Sequence, residues 1–112
     1  MDLAREYTHV VVASTAAGAV VVLSTANGST IIRLHSLQCT LDSTGTFQIQ
    51  TVTTGSTAEL AGTMTYPAFG GPNWPFVPQL DGAYAVGEEG GNLQLKSSVA
   101  LNGIAIVSRS TD

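Results

Sequence analysis

Strand signals recur along this chain at short, regular spacing, and no segment carries a sustained 3.6-residue apolar period capped at both ends. Two valine triplets, Val10-Val11-Val12 and Val20-Val21-Val22, stand either side of Gly18. They predict two short strands, over residues 6 to 14 and 19 to 24, joined by a small-residue turn. Asn27-Gly28 is a turn pair, because both residues tolerate positive φ. Residues 30 to 41 read as a long strand with apolar residues on both faces: Ile32 and Leu34 on one, Ile31, Leu37, Cys39 and Leu41 on the other. Arg33 and His35 fall on that second face, which therefore cannot be wholly dry. Asp42 to Gly45 is a turn, and Phe47 and Ile49 then alternate with Thr46, Gln48 and Gln50 as in a half-buried strand.

The same grammar continues to the end. Gly55 and Gly62 bracket a short piece, 56 to 61. All four prolines fall between residues 67 and 78, and proline removes a ladder donor, so this region is a loop or a sheet edge. A strand resumes over 79 to 86, residues 87 to 91 form a turn, and Leu93 and Leu95 alternate with Gln94 and Lys96. Residues 99 to 107 close the chain as an apolar strand, with Gly103 marking a bulge or a close backbone approach. Seven to eight strands in 112 residues point to an all-β fold: a single antiparallel β-sandwich of jelly-roll or Greek-key type. Phe47, Ile49, Leu93, Leu95 and Leu101 are expected in its core. Residues 1–8 read as an N-terminal arm and 9–112 as the sandwich domain.

Composition agrees with this and narrows function. Charged residues are 11% of the chain, far below the usual quarter. Their place is taken by 14 Thr, 10 Ser and 12 Gly, and β-branched side chains suit pleated strands better than helices. The apolar fraction, 44%, excludes disorder. A net charge of -4 with only 4 Lys and Arg argues against nucleic acid, whose phosphates require clustered cations. The longest apolar stretch, Val10 to Leu23, is too short to span a bilayer as a helix. The residues before it are not net positive, so no cleaved signal is expected. A single cysteine, Cys39, excludes an internal disulfide and fits assembly in a reducing cytosol.

Candidate chemistry is thin. His35 and Cys39 share a face of one strand but lie about 13 Å apart by strand rise, too far for one metal. With His9 they read as ordinary residues of a sandwich. No glycine-flanked serine marks a nucleophile. Glu88 and Glu89 have too few acidic neighbours for a calcium loop and read as a solvated turn. The most unusual local feature is aromatic: Tyr66, Phe69, Trp74 and Phe76 sit among the prolines. Such rings plug one end of a sandwich, anchor a subunit contact or stack on a sugar.

From Ser29 to the end the chain resembles small bacteriophage head decoration (cement) proteins and related virion domains. The likeness lies in Ile31-Ile32-Arg33-Leu34-His35-Ser36-Leu37, in Thr46 to Thr57, and in Pro75-Phe76-Val77-Pro78 followed by Gly82-Ala83-Tyr84. It continues in Gly90-Gly91-Asn92-Leu93-Gln94-Leu95 and in the closing strand with Gly103. The Pro67 to Pro72 segment is longer and more aromatic than that pattern, and the valine-rich stretch before Ser24 has no counterpart. The resemblance implies a jelly-roll virion protein that binds the outside of the head as a homotrimer and holds neighbouring major capsid subunits together. It would be assembled in the host cytoplasm, with no enzyme activity, cofactor, nucleic acid or membrane. Tyr66, Phe69, Trp74 and Phe76 are then expected at the subunit interface, and Leu3, Arg5, Glu6 and Tyr7 in contact with the capsid. A tail-associated receptor- or carbohydrate-binding module, with Trp74 as platform, is the alternative.

Overall fold

The computed structural model describes residues 7–14, 20–26, 28–76 and 83–110. Among these it has no helix and ten strands: β1 (Tyr7–Ser14), β2 (Val20–Ser24), β3 (Ile31–Leu41), β4 (Gly45–Thr53), β5 (Ser56–Glu59), β6 (Met64–Tyr66), β7 (Asn73–Trp74), β8 (Ala85–Val86), β9 (Asn92–Ser97) and β10 (Leu101–Ser110). They form two antiparallel sheets packed face to face. The first runs β1-β10-β3-β7, with β8 also on β3; the second runs β2-β9-β4-β5, with β6 also on β4.

The strand count exceeds the expected seven to eight for a local reason. The outer edge of β3 is shared by β7 and β8, and that of β4 by β5 and β6. Each sheet therefore has four strand positions, the last one broken. Pro67, Pro72 and Pro75 lie in the stretch around β6 and β7, where a missing donor interrupts the ladder. The expected strand over 79 to 86 is described only at its end, as β8; residues 77–82 lie outside the described residues, as do the expected turn residues 16 to 18 and Asn27.

The pairing nests from the ends of the chain inward. β1 lies on β10, β2 on β9, β3 on β7 and β8, and β4 on β5 and β6. The chain is thus an antiparallel ribbon folded double and then rolled into two layers. The two valine triplets, read as neighbours in sequence, end up in different layers.

The core lies between the sheets. Ile32, Leu34, Leu37, Leu41, Leu101 and Ala105 meet Phe47, Ile49, Leu93 and Leu95, all fully buried. Each large side chain among them contributes roughly 1.5–3 kcal/mol by leaving water. The five core residues expected from alternation are all here.

The apparent two-faced pattern of β3 has a specific cause. Against β10, Ser36 pairs with Ile106 and Leu34 with Val107, so His35 is an extra residue: a β-bulge. The side-chain phase flips there. Ile32 and Leu34 before the bulge and Leu37, Cys39 and Leu41 after it all face the core. Close approach sets Gly103 as well: a Cβ there would lie 2.0 Å from the Gln38 carbonyl oxygen and 2.6 Å from Cys39 Cα. Of the two readings of Gly103, the structure takes the close approach.

Candidate interaction surface

Side chains paired directly across an antiparallel ladder share a face. Val12 is 1% exposed and Val11 78%, so Tyr7, His9, Val11 and Ala13 point out of the sandwich. Register carries that face across the first sheet in rows: Tyr7–Ser108–Arg33–Val86, His9–Ile106–Ser36, Val11–Ile104–Gln38–Asn73 and Ala13–Asn102–Thr40. Tyr7, Val11, Ile104 and Val86 are all exposed large apolar residues. Only Arg33 in these rows bears a full charge, and its Nη1 donates to Ser110 Oγ.

The bulge organises one end of this face. His35 is buried, with Nε2 2.7 Å from Ser108 Oγ. Its ring meets Tyr7 edge-on at 5.0 Å and Phe76 at 6.3 Å, and Tyr7 meets Phe76 at 4.9 Å. Ser36 Oγ donates to the Trp74 carbonyl at 2.9 Å. Every buried side-chain polar atom among the described residues has a hydrogen-bond partner, so this end leaves no buried polar side-chain group unsatisfied.

The other end carries an open groove of about 510 Å³ between β3, β10 and the segment 69–73. That segment runs along the edge of β3: Phe69 N donates to the Leu41 carbonyl at 2.7 Å, Leu41 N to that of Gly70 at 2.8 Å, and Cys39 N to that of Pro72 at 3.0 Å. Gly70 N donates to the Pro67 carbonyl at 3.0 Å, closing a tight turn. Phe69 occupies that turn's third position with φ +64°, the one non-glycine residue at positive φ among those described. An L side chain there costs on the order of 1–2 kcal/mol. Its ring is 79% exposed, so no packing offsets the strain.

The outside of the second sheet is more polar. Gln50 Nε2 donates to Gln48 Oε1, and Gln48 Nε2 to Thr63 Oγ1, each at 3.0 Å. Gln50 pairs with Gln94 and Gln48 with Lys96. Val20 and Val22, both exposed, continue those rows beside Lys96 and Gln94, so that face mixes amides and a full charge with two apolar side chains at its β2 edge.

The four aromatics expected together are in three places. Tyr66 and Trp74 pack against the core and flank Phe47 at 5.9 and 6.1 Å, with Trp74 stacked on Tyr84 at 5.3 Å. Phe76 joins the His35–Tyr7 cluster, and Phe69 alone stands in solvent. Of the residues expected to meet the capsid, Tyr7 is in β1 with Thr8, rather than in a separate arm; Leu3, Arg5 and Glu6 lie outside the described residues. Val11 and Ile104 were not singled out by sequence. The signal was present in the odd positions of β1, but the valine run hides it by filling both faces.

Cys39 is buried, and burial pushes its thiol up to about 12, partly opposed by a backbone hydrogen bond at Ile104. It is not set up as a nucleophile. Among the described residues no three His, Cys, Asp or Glu side chains gather where a metal ion could be held. Comparison with protein families, with curated proteins and with solved structures finds no match to this chain.

Proposed function

We propose that this is a bacteriophage virion structural protein, a capsid decoration protein that binds the outside of the head as a trimer and ties neighbouring major capsid subunits together. The observation that carries the reading is the outer face of the first sheet. It sets Tyr7, Val11, Ile104 and Val86 in solvent with a single full charge among its rows. Large apolar side chains set in solvent on one face are a feature of interaction sites, and the low charge of the rows is that of an interface core. The described acids, Asp42, Glu59, Glu88 and Glu89, all lie outside these rows, so none of them repels its counterpart across this face.

The topology supports the same reading. Two antiparallel sheets packed face to face are the sandwich architecture that a jelly-roll virion protein, as the sequence resemblance implies, would need. Trp74 is spent on the core and on Tyr84, which weighs against the alternative of a tail module using that ring as its platform.

Cryo-electron microscopy of the parent particle tests the proposal. Threefold density of this size on the shell, at sites where three capsid subunits meet, is the expected result; density confined to the tail overturns it. Light scattering at micromolar concentration should give a trimer in solution, and a monomer would count against that part of the reading.

A further inference from the structure

The groove at the Leu41 end of β3 lies away from the Tyr7–Phe76 cluster and has its own chemistry. Its side chains include Gln38, Thr40, Asn73 and Asn102, all exposed, with Phe69 at the rim. No residue lining it is charged. Each amide offers both a donor and an acceptor, and the threonine hydroxyl does the same. Gln38 Nε2 donates to Asn73 Oδ1 at 3.0 Å, which fixes these two amides relative to one another. A ligand can then take Gln38 Oε1 as acceptor and Asn73 Nδ2 as donor.

Phe69 gives the groove its aromatic surface, beside Pro72. The ring is held out by a backbone conformation that disfavours it, on a turn tied at both sides to β3. Strain of this kind persists where the position serves something other than stability. The backbone that carries the ring is already pinned to β3, so little main-chain freedom is lost on binding.

We infer that this groove binds a neutral saccharide, with the Phe69 ring stacking on one face of the sugar and the Gln38, Asn73 and Asn102 amides meeting its hydroxyls. A pyranose presents one face of C–H groups and a rim of hydroxyls that each donate and accept, which is the inventory the groove complements. Other ligand classes fit less well. Anions find no cation in the lining. A peptide adding as a strand to β3 finds that edge already taken by residues 69–74. A thiol-reactive ligand finds Cys39 buried.

The test uses the intact chain and a panel of neutral sugars: glucose, galactose, mannose, N-acetylglucosamine and their disaccharides, with glucuronic acid as the charged comparison. Saturation-transfer NMR should show millimolar binding of at least one neutral sugar and no preference for the acid. Phe69→Gly suits the positive φ, so it should keep or raise the melting temperature while weakening the sugar at least about tenfold. Asn102→Ala should weaken it as well, and Lys96→Ala, on the outside of the second sheet, should not. The inference is overturned if no sugar in the panel receives magnetisation, if Phe69→Gly binds as the parent does, or if the acidic sugar is preferred.

Discussion

His35 Nε2 and Ser108 Oγ lie 2.7 Å apart across neighbouring strands, both side chains buried. His35 is the bulged residue of β3, and Ser108 pairs in register with Arg33, two positions before it. The bulge and its polar anchor therefore work together: one inserts a residue, the other fixes where it goes.

Ser108→Ala removes that anchor while leaving the strand intact. Taking away the partner of a buried polar atom costs about 1–3 kcal/mol. A drop of that size in chemical unfolding, with unchanged far-UV circular dichroism, is the expected outcome; no change would mean that Ser108 does not hold the ring.

Deleting His35 tests the bulge itself. Without the extra residue, Leu34, Ser36 and Leu37 alternate regularly in the register they already make with β10, so Ile32, Leu34, Leu37, Cys39 and Leu41 all still face the core. The deletion should therefore still fold and unfold cooperatively, while losing the contacts of the His35 ring with Ser108 and Tyr7. A deletion variant without a cooperative unfolding transition would refute the phase-flip account.

Gly103→Ala should be among the most damaging small substitutions. The added Cβ would meet backbone, at 2.0 Å from the Gln38 oxygen and 2.6 Å from Cys39 Cα, so nothing flexible can yield. A loss of about 3 kcal/mol or more, read by thermal or urea unfolding, fits steric conflict between paired central strands.

Trp74→Ala and Val11→Asp should separate folding from association. Trp74 packs on Phe47 and Tyr84, so truncating it should cost the single chain about 2–4 kcal/mol. Val11 is in solvent on the outer face, so an aspartate there should leave the melting temperature within a few degrees yet abolish assembly by light scattering. Loss of assembly with Trp74→Ala at unchanged chain stability would instead return that ring to the interface.

Cys39 predicts an alkaline limit to stability. Its thiol titrates at about 12 in the folded chain against an ordinary 9.0, so above 9.0 the unfolded state loses its proton first. The native state then binds more protons, and stability falls as pH rises from about 9 towards 12. A thiol reagent at pH 8 should react only on unfolding, and Cys39→Ser should flatten the alkaline arm of the stability profile. Prompt reaction of the native protein would contradict the buried placement.

How much of this was legible in the residues follows from what each signal encodes. The alternation of Phe47 and Ile49, and of Leu93 and Leu95, is local: period two with one apolar face places those side chains in a sheet-on-sheet core without further information. The turns at 42 to 45 and 87 to 91 were readable for the same reason, since glycine and short polar residues act on their own backbone. What the tertiary structure alone decided is non-local. The break in phase at His35 is visible only against β10, because an extra residue is extra only relative to a partner. The separation of β1 and β2 into two layers depends on β9 and β10, near the other end of the chain. The display of Phe69 arises where a tight turn is pinned to the end of β3, a pairing that no neighbouring residue announces. Local chemistry determined which residues form strands; long-range pairing determined which faces remain for a partner.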